Sequence, residues 1–199
     1  MTRAAALLLL ALALAAPAAA RAEPRGWEEI RAARPDLFHA ETGFRIARQR
    51  APTPADIPAP ARRVGAAEAR ALIDAGAVAV DVYGAFSPRY DELDGTWRER
   101  ETRFSIPGAT WLPEVGRGTL TPEIARWFEG ALARLTGGDR GRALVVFCVA
   151  DCWMSWNAAR RAAESFGYTD VAWFRLGTDG WLDAGWALAP VPPTPVDLD

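Results

Sequence analysis

The 199-residue sequence contains no lysine, one histidine, two cysteines and two methionines. Each scarcity excludes something. With one imidazole, His39, and two thiols, the four ligands of an ordinary structural zinc site cannot be assembled, so no metal site is expected. The same count removes the commonest general base, because His39 lies far along the chain from either cysteine. Two cysteines are also too few for the multiply bridged scaffolds by which small exported domains offset a thin core. All positive charge rests on arginine, and the formal net charge is −2, which leaves no cationic excess for nucleic-acid phosphates. Long apolar runs are missing as well. The longest, residues 4–16, falls short of the ~20 residues a bilayer-spanning helix needs.

That run suits a secretory signal. Arg3 supplies a short positive region, residues 4–16 the apolar region, and Pro17 breaks it ahead of Ala18-Ala19-Ala20-Arg21-Ala22. Cleavage after Ala22 meets the small-x-small rule, and cleavage after Ala20 is the neighbouring alternative. An uncleaved anchor is the competing reading. Residues 1–22 are therefore expected to be a signal, with no membrane span once they are removed. About 175 residues then remain, half of the chain is apolar, and one domain with a proper core is expected.

Residues 23–65 are rich in Pro, Arg and Ala. One short helix is expected over residues 27–34, and the prolines of residues 51–60 exclude a helix or a central strand. This segment reads as an extended N-terminal arm, either lying along the domain or serving as a linker. From Ala66 the pattern changes to alternating strand and helix. Helices are expected over residues 67–75, from the Thr121 cap through Leu135, and over residues 157–166. Strands are expected at residues 77–82, within 106–112, at 143–147 and at 171–174. A polar, charged loop fills residues 83–104. The alternation implies an α/β domain over residues 66–192 with a central parallel sheet flanked by helices, followed by a tail at 193–199.

Both cysteines fall between the clearest buried strand and a helix, in Phe147-Cys148-Val149-Ala150-Asp151-Cys152-Trp153-Met154-Ser155. A loop at the carboxyl end of a parallel strand is where such sheets bind ligands. Its backbone N–H groups and the following helix dipole would favour a thiolate, a persulfide or another anion there. The alternative for Cys148 is an inert buried cysteine at a strand end, and a second thiol four residues on favours a site. Cys152 has three readings: a thiol that resolves a modified Cys148, a redox-sensing or copper-binding partner with Met154, or half of a static disulfide. Asp151 could oppose the thiolate or orient the loop, and Trp153 is expected to shape access.

At these residues the chain resembles the rhodanese-like domain. The matching pieces are Asp81-Val82, Ser105-Ile106-Pro107-Gly108-Ala109, Val145-Val146-Phe147-Cys148, Ala158-Ala159, Phe166-Gly167-Tyr168 and Gly180-Trp181-Leu182-Asp183, in that order. A narrower likeness runs through Cys148-x-x-x-Cys152-Trp153, Thr42-Gly43-Phe44-Arg45, Arg50-Ala51-Pro52 and Gly177-Thr178-Asp179-Gly180-Trp181. It is to the CXXCW-motif proteins associated with PQQ-dependent catabolism. This resemblance implies a periplasmic protein working beside quinoprotein alcohol oxidation, with a quinoprotein dehydrogenase, a cytochrome c or a transport component as partner. PQQ itself would enter only through those partners, and a cysteine persulfide is the one carried group implied.

Ordinary rhodanese loops carry Gly three residues and Arg five residues after the cysteine, where this chain has Asp151 and Trp153. Losing that arginine argues against generic thiosulfate chemistry, because anionic sulfur donors are recognised by guanidinium groups. The expectation is thiol-redox or sulfur-transfer chemistry. Cys148 would be the nucleophile, Cys152 the resolving thiol, residues 149–155 the anion cradle, and Asp81 an orienting neighbour. The rival expectation is a non-enzymatic binding module with a permanent Cys148–Cys152 disulfide and a tryptophan-bearing contact loop.

Overall fold

The computed structural model describes residues 25–84, 89–91, 93, 96–98 and 101–196. The expected signal and its cleavage site lie outside the described residues. In chain order the elements are α1 (Trp27–Ala33), β1 (Arg62–Val64), α2 (Ala66–Asp74), β2 (Val78–Asp81), β3 (Arg89–Asp91), β4 (Thr96–Arg98) and β5 (Arg103–Ser105). They continue with β6 (Thr110–Trp111), α3 (Pro122–Thr136), β7 (Leu144–Phe147), α4 (Trp153–Glu164), β8 (Val171–Phe174), α5 (Gly177–Asp183) and β9 (Ala189–Val191). The central sheet is parallel, in the order β1-β8-β7-β2-β6, with helices on both faces. This is the fold class expected from the sequence.

Burial on two faces explains the uninterrupted apolar strands. In β7, Leu144 and Val146 point to the face covered by α3 and α4, while Val145 and Phe147 point to the face of α2 and α5. Helix α3 begins as its sequence suggests, with the Thr121 hydroxyl accepting from Ile124 N–H and Pro122 in the first turn. It ends at Gly137, whose φ of 65° suits a residue without a Cβ.

Three features differ from the sequence expectation. Residues 62–64, read as the end of the arm, form β1 and pair in parallel with β8. Helix α4 starts at Trp153, four residues before the expected Asn157, so Trp153, Met154 and Ser155 form its first turn instead of a loop. The stretch read as a polar loop holds β3 and β4, paired antiparallel, and β5, which pairs with β9. Residues 194 and 195 are also tied down. Trp97 Nε1 donates to Thr194 O (2.9 Å), and Trp127 Nε1 to Pro195 O (2.9 Å).

Candidate functional site

Cys148 leaves the carboxyl end of β7 and is joined to Cys152 by a disulfide, with the two Cα atoms 6.3 Å apart. That spacing lies within the range a bridge can close. The turn between them is made at Asp151, whose φ of 52° is left-handed and is tolerated by Asp. Gly177 permits the close approach on the other side. Its φ is 53°, and a Cβ there would strike the Cys148 carbonyl, which also accepts from Thr178 N–H (3.0 Å).

The N-terminal arm crosses this loop. Ala51 N–H donates to Asp151 O (3.0 Å) and Trp153 N–H to Gln49 O (2.9 Å), so residues 49–51 pair with residues 151–153 around Cys152 like two short antiparallel strands. Three polar side chains of α4 hold the arm. Trp153 Nε1 donates to Pro52 O (3.1 Å) and Trp156 Nε1 to Asp56 O (3.0 Å). Asn157 accepts from Arg45 N–H (2.9 Å) and donates to Arg45 O (2.8 Å) and Gly116 O (2.9 Å). Trp153 is fully buried, edge-on to Phe38 and Trp156, with the Arg45 guanidinium 4.7 Å from its ring centre. The expectation that Trp153 stands at a loop tip and shapes access is therefore corrected: as the first residue of a helix beneath the arm, it is an anchor.

Arg45 is itself buried and has no carboxylate partner among the described residues. It donates to Ala47 O (2.7 Å) and Arg48 O (3.4 Å), fixing the turn of the arm, and burial pulls its guanidinium below the usual range. Arg161, held at about 10 chiefly by burial and then by Arg160, donates to the carbonyls of Val115, Arg117 and Gly118. These two arginines hold the backbone of residues 47–48 and 115–118, from which Ala47, Arg48 and Arg117 line a cleft of about 570 Å³. Cys152 and Met154 line it, with arm residues 46–52, Tyr83, Gly84 and Arg117. Cys148 does not. Among the described residues that line it, three are arginines, Arg48, Arg50 and Arg117, and none is acidic.

The expected backbone cradle is partly spent inside the fold. Ala150 N–H donates to Asp179 Oδ2 (2.9 Å), while Trp153 N–H is taken by Gln49. Ser155 is buried, donating to Cys152 O (3.1 Å) and accepting from Trp173 Nε1 (3.0 Å). Val149 is buried beside Gly177. Asp151 is exposed, 3.9 Å from Arg175.

Asp81 has other partners than the cysteine loop. It accepts from Tyr83 N–H (2.9 Å), Ser105 Oγ (2.6 Å) and Arg103 Nε (2.9 Å), on the face opposite Cys148. Burial pushes its carboxyl above the usual range, against the pull of Arg103 and then of Ser105 and Tyr83.

Sequence reasoning missed Arg48, Arg117, Asn157 and Asp179 as parts of this site. Only the Thr42-Gly43-Phe44-Arg45 and Arg50-Ala51-Pro52 segments hinted that the arm belongs to it.

No protein-family model matches the chain. No curated protein matches it either. Solved structures do. A thiosulfate sulfurtransferase from Pseudomonas aeruginosa is 23% identical, with 66% of this chain and 20% of that one covered and a TM-score of 0.42. SseA from Escherichia coli, described with the "rhodanese" fold among 3-mercaptopyruvate sulfotransferases, is 20% identical over 68% of this chain and 53% of that one, with a TM-score of 0.41. An EanB variant in complex with hercynine is 20% identical over 67% and 32%, with a TM-score of 0.43. The chain thus spans between a fifth and about half of the length of these structures.

Proposed function

We propose that this chain is a periplasmic thiol–disulfide redox protein on a rhodanese-like frame, serving PQQ-dependent alcohol oxidation. The observation that carries the redox reading is the Cys148–Cys152 disulfide, with Cys152 alone of the pair on the wall of an arginine-rimmed cleft. An incoming thiolate attacks Cys152 Sγ and forms a mixed disulfide. The Cys148–Cys152 bond breaks, and Cys148 leaves as a thiolate that takes up a proton. A second thiol then attacks the mixed disulfide, so that two thiols are oxidised and the protein gains two electrons and two protons. The periplasmic setting and a quinoprotein dehydrogenase, cytochrome c or transport partner rest on the sequence resemblance.

Sulfur transfer is the second reading, favoured by the position of Cys148 at the end of β7. There the reduced Cys148 thiolate would take the outer sulfur of a persulfide donor, whose own thiol leaves, and so carry a persulfide. Cys152 would attack its inner sulfur, expel hydrosulfide and re-form the disulfide. The internal use of the Ala150 amide weighs against a persulfide cradle. A purely binding role loses its expected contact surface, because Trp153 and Trp156 are buried.

Titration of the folded protein in dithiothreitol buffers, with alkylation and intact-mass readout, tests the redox reading. Both cysteines should label without denaturant, and a briefly trapped mixed disulfide should map to Cys152. Labelling confined to the unfolded protein would leave only a structural bridge.

A further inference from the structure

Resting on the redox reading, we infer that the thiol accepted at Cys152 is a low-molecular-weight thiol bearing carboxylates. Two independent features of the cleft select it. The first is size and depth. Cys152 is 1% exposed and Cys148 not at all, and of the two only Cys152 lines the cleft, where residues 49–51 pair with residues 151–153. A cysteine on a folded partner cannot reach a sulfur so placed without displacing the arm. A volume of about 570 Å³ suits a small organic thiol.

The second is charge. Arg48, Arg50 and Arg117 line the cleft from two separate segments of the chain, and among the described residues none of those that line it is acidic. Arg50 spends one N–H on Ala150 O (3.2 Å), and Arg117 spends one on Gln49 Oε1 (3.1 Å). Glu114 pairs with Arg117 at 2.6 Å, and Asp36, itself bound by Arg34, acts on Arg48, so guanidinium groups outnumber carboxylates here among the described residues. A guanidinium keeps several donors in a planar fork, and the remaining ones fit carboxylate oxygens. The arm and Arg117 thereby supply the cationic recognition that a rhodanese loop would take from its own arginine. The same charge favours the attacking thiolate over the thiol. The exchange is the one written above, with the carboxylate-bearing thiol as reductant and its disulfide as product.

Reduction of the full mature protein is compared for three monothiols of similar size: mercaptosuccinate, neutral 2-mercaptoethanol and cationic cysteamine. Rates are corrected for thiolate fraction and intrinsic nucleophilicity. Mercaptosuccinate should react about tenfold faster than 2-mercaptoethanol, with cysteamine slowest, and the spread should shrink as salt rises. Exposed Arg48, Arg50 and Arg117 replaced together by Ser should abolish the preference, whereas Arg63→Ser, on the exposed outer strand, should leave it intact. Single replacements, each losing part of the preference, serve if the triple variant does not fold. Equal corrected rates for all three thiols would overturn the inference and leave the redox reading standing. Failure of every thiol to reduce the folded protein would overturn both.

Discussion

Burial assigns a structural role to both Asp81, expected beside the cysteine loop as an orienting residue, and Trp153, expected within that loop. Asp81 ends β2 with no exposed surface and is compensated by Arg103, Ser105 and a backbone N–H. Its carboxyl is raised by burial, so the folded state holds its proton more tightly than the unfolded chain does. The stability linked to this group is therefore present at low pH and lost as pH rises through the folded pKa. Arg103→Met removes the opposing charge and enlarges that loss. Urea midpoints should show a deficit of about 3–5 kcal/mol near neutral pH, shrinking markedly in acid where Asp81 is neutral. A deficit independent of pH would mean that Arg103 contributes by packing over Tyr83, whose ring centre is 4.4 Å away.

At the scale of elements, the arm and α4 form one unit. Asn157 is its clamp, satisfying both polar backbone groups of Arg45 and the Gly116 carbonyl from a fully buried position. Asn157→Leu leaves those groups buried without partners. The expected cost is about 3–5 kcal/mol in urea unfolding, with faster proteolysis of residues 45–58 as the local signature. Strands β2, β7 and β8 and helix α3 were legible because each carries its own apolar run, stripe or cap. Strand β1 was not, since Arg62-Arg63-Val64 has no period and its place depends on β8, more than a hundred residues away. The start of α4 was hidden because Cys152 offers no side-chain cap and Trp153-Met154-Ser155-Trp156 lacks a helical polar face. Their full burial needs a second layer, and that layer is the arm. The loop and its two cysteines could be read from sequence; the arginines above them could not, because they arrive from distant segments.

For the whole molecule, the disulfide closes a loop of only four residues' separation. Chain-entropy arguments assign such a bridge about 2 kcal/mol. The Cys148→Ser/Cys152→Ser double variant should therefore fold, with a midpoint lowered by roughly that amount and near-native circular dichroism. A collapse of the fold would show that the bridge carries the core and would return the pair to a structural role. With the fold retained, any loss of function in that variant belongs to the thiols.

The pairing of residues 49–51 with 151–153 also imposes an order in time. The arm leaves the ribosome, or crosses a membrane, before the helix on which it lies. Its hydrogen bonds span sequence separations of about a hundred residues or more, so it can settle only after β7 and α4 have formed. Until then the two thiols stand open to whatever oxidant or folding catalyst the compartment provides. Afterwards Cys152 is approached through the arginine-lined cleft. The arm is thus made before the helix that holds it and docks only on that helix, and its docking marks the point at which an open pair of thiols becomes a guarded one.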